Sequence, residues 1–284
     1  MSIAIITDSD SSLSSTLAEK YNIQQVPICI QFGEDVFFTN VDINDEQVFQ
    51  RIDREGKLPT TAAPSPGSFV NAFEQAFKKE KAEAIICFCV SGEISATYSA
   101  AKLAAQEFPD KRIEVVDTRS LTMGQGFMAI AAVEALQQGA SIEDALTAAM
   151  DTGSRAHVYG ALATLKYLSM SGRVSHLAAG MAGMLHIKPI LAMQNGKLEL
   201  LEKVRTQKKA WARVIELVKQ DVGDHEIERM AILHVAADKK AAEFKKLLQA
   251  SVQCPEDMPF VPLTPGLSIH TGAGLVGVAF VVKE

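Results

Sequence analysis

Short apolar runs and amphipathic stretches alternate along the first half of the chain. The apolar runs predict strands at residues 3–7, 26–32, 84–90 and 113–117, and the third is apolar throughout, which is typical of a strand buried on both faces. The amphipathic stretches predict helices at residues 11–21, 45–55, 68–81, 95–108, 124–138 and 142–149. Strands that alternate with helices predict a mostly parallel sheet flanked by helices.

The second half has a different pattern. Asn195-Gly196 divides an apolar stretch at residues 188–201, which predicts a β-hairpin. Helices are predicted at residues 162–170, 175–186, 206–219 and 239–251, and strands at residues 230–235, 258–263 and 276–282. Because the pattern changes near residues 150–160, we predict two α/β domains. Residues 1–155 form the domain with the parallel sheet, and residues 156–284 form a domain with a smaller mixed sheet and helices.

Composition narrows the class of protein. The 284 residues are 48% hydrophobic and 22% charged, as in an ordinary soluble globular protein. The net charge of -6 argues against nucleic acid or an anionic membrane surface as a partner. The four cysteines have no zinc-like spacing, and Cys87 and Cys89 lie in an apolar strand where reduced, packed thiols are expected. No apolar run reaches the ~18 residues of a membrane helix, and no secretory leader is recognised. We therefore expect a cytoplasmic protein.

Three hydroxyl-rich segments lie far apart in the sequence, at residues 60–67, 91–98 and 270–274. Each falls where a loop is expected to meet the next element of an α/β fold. Together they would supply O–H and N–H donors, which suit an ionised carboxylate because it only accepts hydrogen bonds. The sequence offers no obvious metal-ligand set or nucleophile–base pair, so these segments indicate binding rather than turnover.

Each segment also has a simpler interpretation. Ser95 follows a buried strand at a helix start, where backbone N–H groups favour an anion, but serine is also a leading N-cap residue. Ser65 before Pro66 is a common helix start, so the segment at 60–67 need not bind anything. A lone histidine such as His270 is more often structural than functional.

Two catalytic or cofactor motifs are only partial matches. The glycines at residues 272–277 match the dinucleotide fingerprint formally, but a strand is predicted after them where that motif requires a helix. A serine hydrolase or acyltransferase that uses Ser95 with His270 is the alternative function, although residues 92–96 lack the spacing of a nucleophile elbow. No cofactor and no metal are expected.

The predicted helix at residues 175–186 combines alanines and glycines with the large, pliable side chains of Met181, Met184 and Leu185. Small residues allow close helix packing, which is one explanation. The other is space for a long apolar ligand, to whose shape methionine adapts.

Five motifs occur in order along the chain, and together they resemble the DegV family of bacterial fatty-acid-binding proteins. They are Thr7-Asp8-Ser9, Thr61-Ala62-Ala63-Pro64-Ser65, Ser91-Gly92-Glu93-Ile94-Ser95-Ala96-Thr97, Leu165-Lys166-Tyr167-Leu168 with Gly172-Arg173-Val174-Ser175, and His270-Thr271-Gly272-Ala273-Gly274. The resemblance spans nearly the whole chain. Ala62-Ala63, Ala96 and Ala273 depart from the family pattern, which bears on acyl-chain preference and kinase recognition more than on lipid binding.

The resemblance implies a long-chain fatty acid bound between the two domains, with no catalysis by the protein itself. The carboxylate would be held by Thr61 and Ser95, with His270 and Thr271 nearby. The acyl chain would enter an apolar tunnel, for which the candidate wall residues are Met181, Met184, Leu185 and Ile190. Burial of ~14 methylenes at about 0.8 kcal/mol each supplies most of the gross driving force.

Some members of the family present the fatty acid to a separate fatty acid kinase, which phosphorylates the carboxylate. Arg173 matches the family arginine near the pocket mouth that is implicated in this partnership, while its local context alone would suit a solvated surface arginine. A regulator that senses the lipid is a third possible function.

Overall fold

The computed structural model describes residues 2–171 and 187–284. The helix predicted at residues 175–186 lies outside the described residues, as do Arg173, Met181, Met184 and Leu185.

The elements are numbered in chain order over the described ranges. The strands are β1 (Ile3–Asp8), β2 (Ile23–Val26), β3 (Cys29–Phe32), β4 (Asp35–Phe38), β5 (Thr60–Ala62), β6 (Ala84–Cys89), β7 (Arg112–Asp117), β8 (Ala156–Ala161), β9 (Lys188–Gln194), β10 (Lys197–Val204), β11 (Ile227–His234), β12 (Phe260–Pro262) and β13 (Val276–Val282). The helices are α1 (Ser15–Tyr21), α2 (Asp45–Glu55), α3 (Pro66–Lys78), α4 (Thr97–Ala105), α5 (Thr122–Gln137), α6 (Ile142–Ser154), α7 (Lys166–Ser171), α8 (Gln207–Val222), α9 (Asp238–Gln249) and α10 (Pro265–Thr271), and a short 3-10 helix spans Ser9–Ser11.

The chain forms two compact units. The first contains Met1–Asp42 and Thr60–Ser154, and the second contains Ile43–Pro59 and Arg155–Glu284. The chain therefore enters the second unit early, at α2, before it returns to complete the first. A single boundary near residue 155 leaves out this excursion. The amphipathic pattern of α2 predicts that one face of the helix is buried, but it does not indicate which of the two units that face packs against.

The first unit has a parallel sheet in the strand order β2-β1-β6-β7, which confirms the parallel α/β architecture predicted for it. Helices α3 and α4 cover one face, where Phe69 and Phe73 are fully buried against Ile6 and Cys87. Helix α5 packs on β1 and β6 at the other face. Ligands of parallel α/β sheets bind beyond the carboxyl ends of the strands, so that edge is where the site of this unit is sought.

The strand predicted at residues 26–32 is wrong. It is divided at Pro27 into β2, which belongs to the parallel sheet, and β3, which forms a separate antiparallel sheet in the order β4-β3-β5. Proline has no N–H to continue a ladder, so the chain leaves one sheet there and starts another.

Two local predictions are confirmed. Helix α2 begins after Asn44, whose Oδ1 accepts the N–H of Gln47 at 3.0 Å, while Gln47 Oε1 accepts the N–H of Asn44 at 2.9 Å. Strands β9 and β10 form the predicted hairpin, and Asn195 and Gly196 have φ angles of 52° and 82°. Both positive angles are what a two-residue type I′ turn requires.

The second unit has a mixed sheet in the order β10-β9-β8-β13-β11-β12, antiparallel throughout except for the parallel pair β11 and β12. A mixed sheet was predicted, but it is the larger of the two main sheets, with six strands against four in the described residues. The prediction omitted β8, because its polar and glycine residues do not form an apolar run. Helices α8 and α9 cover one face, with Trp211 and Phe244 in the core. No helix of the described ranges is long and apolar enough to cross a membrane.

Candidate functional site

The loop between β6 and α4 lies at the carboxyl edge of the parallel sheet. Ser91 is fully buried, its N–H donates to the carbonyl of Ser120 at 2.9 Å, and its own carbonyl accepts the N–H groups of Ile94 and Ser95. The loop is therefore a closed turn rather than an open segment. Such a turn holds Ser95 at the sheet edge with little conformational freedom.

Ser95 is partly exposed and tied to the start of α4. Its Oγ lies 2.8 Å from Thr97 Oγ1 and accepts the N–H of Thr97 at 3.3 Å. The helix begins at Thr97, two residues later than predicted, and Ala96 occupies the N-cap position without a side-chain cap. Ser95 thus satisfies one orphan N–H of the helix start, as the simpler interpretation expected, and its hydroxyl remains able to donate to a bound anion.

The motif Thr7-Asp8-Ser9, at the end of β1, supports this loop through a hydrogen bond to its first residues. Asp8 is fully buried, and its Oδ2 accepts the N–H of Val90 at 2.7 Å, immediately before Ser91. Gln125 of α5 donates to Thr7 Oγ1 at 2.8 Å and to Asp8 Oδ2 at 3.2 Å. Burial raises the pKa of Asp8 to about 6, although these hydrogen bonds oppose the shift. The motif therefore joins the ends of β1 and β6, and Gln125 is a partner that the sequence pattern did not reveal.

Asp117 at the end of β7 fixes the other side of the turn. Its Oδ1 accepts the N–H of Gly92 at 3.1 Å and the N–H of Arg119 at 2.9 Å. A Cβ at Gly92 would lie 3.0 Å from Asp117 Oδ2, which leaves little room for any other residue. The Asp117 carboxylate therefore holds the backbone of the loop by accepting the Gly92 N–H, and the missing side chain at Gly92 allows the carboxylate to approach this closely.

Thr61 lies in β5, a strand rather than the loop that was expected, and it pairs with Ile30 of β3. Strand β3 starts close to where β2 ends, and the Ile28 N–H donates to Ser9 Oγ at 3.0 Å, just beyond the end of β1. The small sheet is thus attached at the carboxyl edge of the parallel sheet. Thr61 and Ser95 are carried by segments that meet the same edge of the first unit.

Ser65 has the structural role that its sequence context suggested. Its Oγ accepts the N–H of Ser68 at 3.1 Å, and α3 begins at Pro66. It is a helix cap, which proline at the first helical position favours.

In the second unit, His270 and Thr271 lie at the end of α10 and not in a loop, so the expectation of a loop was wrong. Pro265 starts the helix, and Gly272, with a φ of 78°, ends it. His270 is partly exposed, whereas Thr271 is buried. The Thr271 hydroxyl donates to the carbonyl of Ser268 at 3.2 Å, so its proton would have to change partner to reach a ligand.

Gly272 is required by its surroundings. A Cβ at this position would lie 2.2 Å from a ring carbon of Tyr167 in α7, and φ is in the region that favours glycine. Strand β13 follows at Val276, which confirms that the glycines of this segment are not a dinucleotide-binding motif.

A partly buried acid–hydroxyl pair supports the same helix. Ser268 Oγ donates to Asp45 Oδ1 at 2.5 Å, and Ser268 is fully buried. Asp45 Oδ2 is also buried and has no hydrogen-bond partner in the described part of the chain. Burial raises the pKa of Asp45 to about 6, and the hydrogen bond from Ser268 opposes the rise. From sequence alone, Asp45 is recognisable only as the first residue of a helix, because its partner lies 223 positions away.

The predicted tunnel residue within the described ranges is Ile190. It is fully buried among the core side chains under α8 and α9, so its place in an acyl tunnel stays a prediction. Over residues 2–171 and 187–284, no group of three or more histidine, cysteine, aspartate or glutamate side chains could hold a metal ion.

The architecture defines the class of protein: an α/β protein of two units, with a structured polar loop at the carboxyl edge of a parallel sheet. A family model described as "Uncharacterised protein, DegV family" matches residues 2–283. The chain belongs to the DegV family.

Individual relatives match over comparable lengths. A DegV domain-containing protein from Deinococcus radiodurans is 33% identical, over 98% of this chain and 98% of its own length. A structure described as a fatty-acid-binding DegV family protein from Thermus thermophilus is 30% identical, with a TM-score of 0.91 and 100% of both chains covered. A stearic-acid-binding protein from Eubacterium ventriosum is 25% identical, with a TM-score of 0.89 over 100% of this chain and 99% of its own.

Proposed function

We propose that this protein binds a long-chain fatty acid and carries it without a catalytic step of its own. The observation that carries the proposal is the full-length likeness to structures described as fatty-acid-binding, one of them with stearic acid. The hydroxyl-bearing loop at the carboxyl edge of the first unit supports it, because its hydroxyl groups can donate to a carboxylate.

Four residues bind the carboxylate in this proposal. Thr61 and Ser95 contribute neutral hydroxyls from the first unit, and His270 and Thr271 contribute from the second. Neutral donors satisfy the hydrogen-bonding capacity of a carboxylate but neutralise less of its negative charge than a bidentate arginine would. The head-group contacts therefore set position and specificity.

Retention comes from the acyl chain. About 14 buried methylenes contribute roughly 11 kcal/mol of gross driving force at about 0.8 kcal/mol each. We propose Met181, Met184, Leu185 and Ile190 as wall residues of the tunnel.

The finer proposal concerns a partner. A fatty acid kinase would receive the carrier with its ligand, and a carboxylate oxygen would attack the terminal phosphate of ATP to form an acyl phosphate and ADP. The chemistry belongs to the kinase, and Arg173 contributes to the contact with it.

The test is mass spectrometry of an organic extract from the purified protein. We expect stoichiometric C14–C18 fatty acid in the wild type and much less in the variant that combines Thr61→Ala with Ser95→Ala. The matched control combines Thr60→Ala with Ser99→Ala, which removes neighbouring exposed hydroxyls. A clean wild-type extract, together with no binding of added oleate or palmitate, would overturn the proposal.

The same variants separate carrying from catalysis. If the protein hydrolyses acyl esters and Ser95→Ala abolishes that turnover, the hydrolase or acyltransferase alternative replaces the carrier. If Ser95→Ala only weakens retention, the serine binds.

A further inference from the structure

Three helices of the second unit pack around the residues that follow Ser268. Helix α10 contacts both α2 and α7. Phe49 of α2 meets Tyr167 of α7 edge to face, with ring centroids 6.4 Å apart, and the Tyr167 ring covers Gly272. These apolar contacts pack α10 against both neighbouring helices.

The Ser268 backbone and side chain together join that last turn to α2. The Ser268 carbonyl accepts the Thr271 hydroxyl at 3.2 Å and the Gly272 N–H at 2.7 Å. The Ser268 hydroxyl donates in the other direction, to Asp45. One short chain of hydrogen bonds therefore runs from Asp45 through Ser268 to Thr271, with His270 inside the turn that it spans.

A carboxylate is a costly group for a contact that is only structural. Asp45 is largely removed from water, has one hydroxyl partner, and leaves its second oxygen without any partner in the described residues. An apolar side chain would join two helices at lower cost, but it could not accept the Ser268 hydroxyl. Costs of this kind are expected where they are compensated by function.

We propose that Asp45 and Ser268 are a positioning pair that orients the last turn of α10, so that His270 meets the carboxylate of the bound fatty acid. This inference rests on the proposed function and deepens it by adding two residues that do not contact the ligand. Asp45 accepts, Ser268 donates, and the pair acts on the ligand through His270.

The test measures the affinity of the delipidated full-length protein for radiolabelled oleate. Asp45→Ala and Ser268→Ala should each weaken binding about tenfold, as expected when a hydrogen-bonded network loses one member. Asp45→Asn keeps an acceptor for Ser268 and should bind within about twofold of the wild type, and Ser268→Thr should likewise restore binding. Glu46→Ala, at the exposed neighbour of Asp45, is the matched control and should bind as the wild type does.

The decisive measurement repeats Asp45→Ala in a His270→Ala background. If the pair acts through His270, the second change adds less than about twofold, because the group being positioned is already gone. If Asp45→Ala weakens binding by the same factor in both backgrounds, or by less than twofold in the wild type, the inference is overturned. Unfolding midpoints measured on the same samples separate positioning from folding, since Asp45→Asn and Ser268→Thr must restore affinity whatever their stability.

Failure of the two proposals is distinguishable. A wild-type protein that binds no oleate contradicts the proposed function. A wild type that binds, with Asp45→Ala and Ser268→Ala binding equally well, contradicts only the positioning pair.

Discussion

Replacement of Asp45 by asparagine should stabilise the protein at neutral pH and stabilise it much less in acid. Burial raises the pKa of Asp45 from 3.8 to about 6, so the folded state favours the neutral carboxylic acid. The stabilising contribution of the protonated acid is fully present below the unfolded pKa and is lost as pH rises through about 6. Asparagine has no such titration and can still accept the Ser268 hydrogen bond.

The magnitude follows from the two pKa values. The cost of ionising the buried acid is about 1 kcal/mol at pH ~4.5 and about 3 kcal/mol at pH ~7.5, at roughly 1.4 kcal/mol for each unit of pKa difference. Asp45→Asn should therefore be more stable than the wild type by up to about 3 kcal/mol at pH ~7.5. The gain should shrink by about 2 kcal/mol at pH ~4.5.

The assay is urea unfolding of fatty-acid-free protein at both pH values, followed by tryptophan fluorescence. Its chromophore, Trp211, lies in the core of the same unit as Asp45. Other groups titrate in this range, including Asp8, but their contributions cancel in the difference between variant and wild type. Glu46→Gln, at the exposed neighbouring position, is the matched control. A gain in stability that is equal at the two pH values would refute the argument, since it would mean that burial does not raise the pKa of Asp45 in the folded protein.

Two further predictions concern single residues of the second unit. Gly272→Ala should destabilise the protein by about 3 kcal/mol or more and abolish fatty acid binding, because the new methyl group would collide with the Tyr167 ring and φ is positive. Gly139 also has a positive φ but has open space around it, so Gly139→Ala should cost only about 1–2 kcal/mol. Denaturant midpoints and oleate binding check both, and equal losses would contradict the clash. Asp221→Asn should cost about 1–2 kcal/mol at neutral pH, because the charged Asp221 carboxylate accepts the Tyr159 hydroxyl at 2.6 Å and lies 3.1 Å from His157 Nδ1. Hydrogen bonds lower the pKa of Asp221 despite its burial, so the stability that the carboxylate contributes is lost as pH falls through that lowered pKa. The difference in stability between Asp221→Asn and the wild type should therefore fade in acid. Asp224→Asn is the control, and a pH-independent difference would refute the assignment.

Features determined by neighbouring residues could be predicted well. Helix α2 has the predicted bounds, with Asn44 and Gln47 closing its start from three positions apart, and Asn195-Gly196 supplies both positive φ angles of its turn. Strand β13 has the predicted bounds because Val276–Val282 is apolar and follows a glycine-rich segment. In each case the determining chemistry lies within a few residues.

The errors occurred where a distant contact decides. Residues around Pro27 read as one apolar strand, yet the chain exchanges one sheet for another there. His270 and Thr271 were expected in a loop, but they end a helix of fewer than two turns that packs against α2 and α7. Short helices depend on tertiary contacts because the first turn is costly to form.

For the site, the order of residues along the chain establishes which hydroxyl-bearing segments exist and, through five ordered motifs, the family to which the chain belongs. Thr61, Ser95 and His270 are recognisable in this way because each lies in a short local signature. The residues that support these segments are visible only in the folded protein: Gln125 donates to Asp8, Asp117 accepts from the Gly92 backbone, and Asp45 accepts from Ser268. Hydrogen bonds of this kind depend on distances in space between residues far apart in the chain, and such distances are set only when the whole fold has formed.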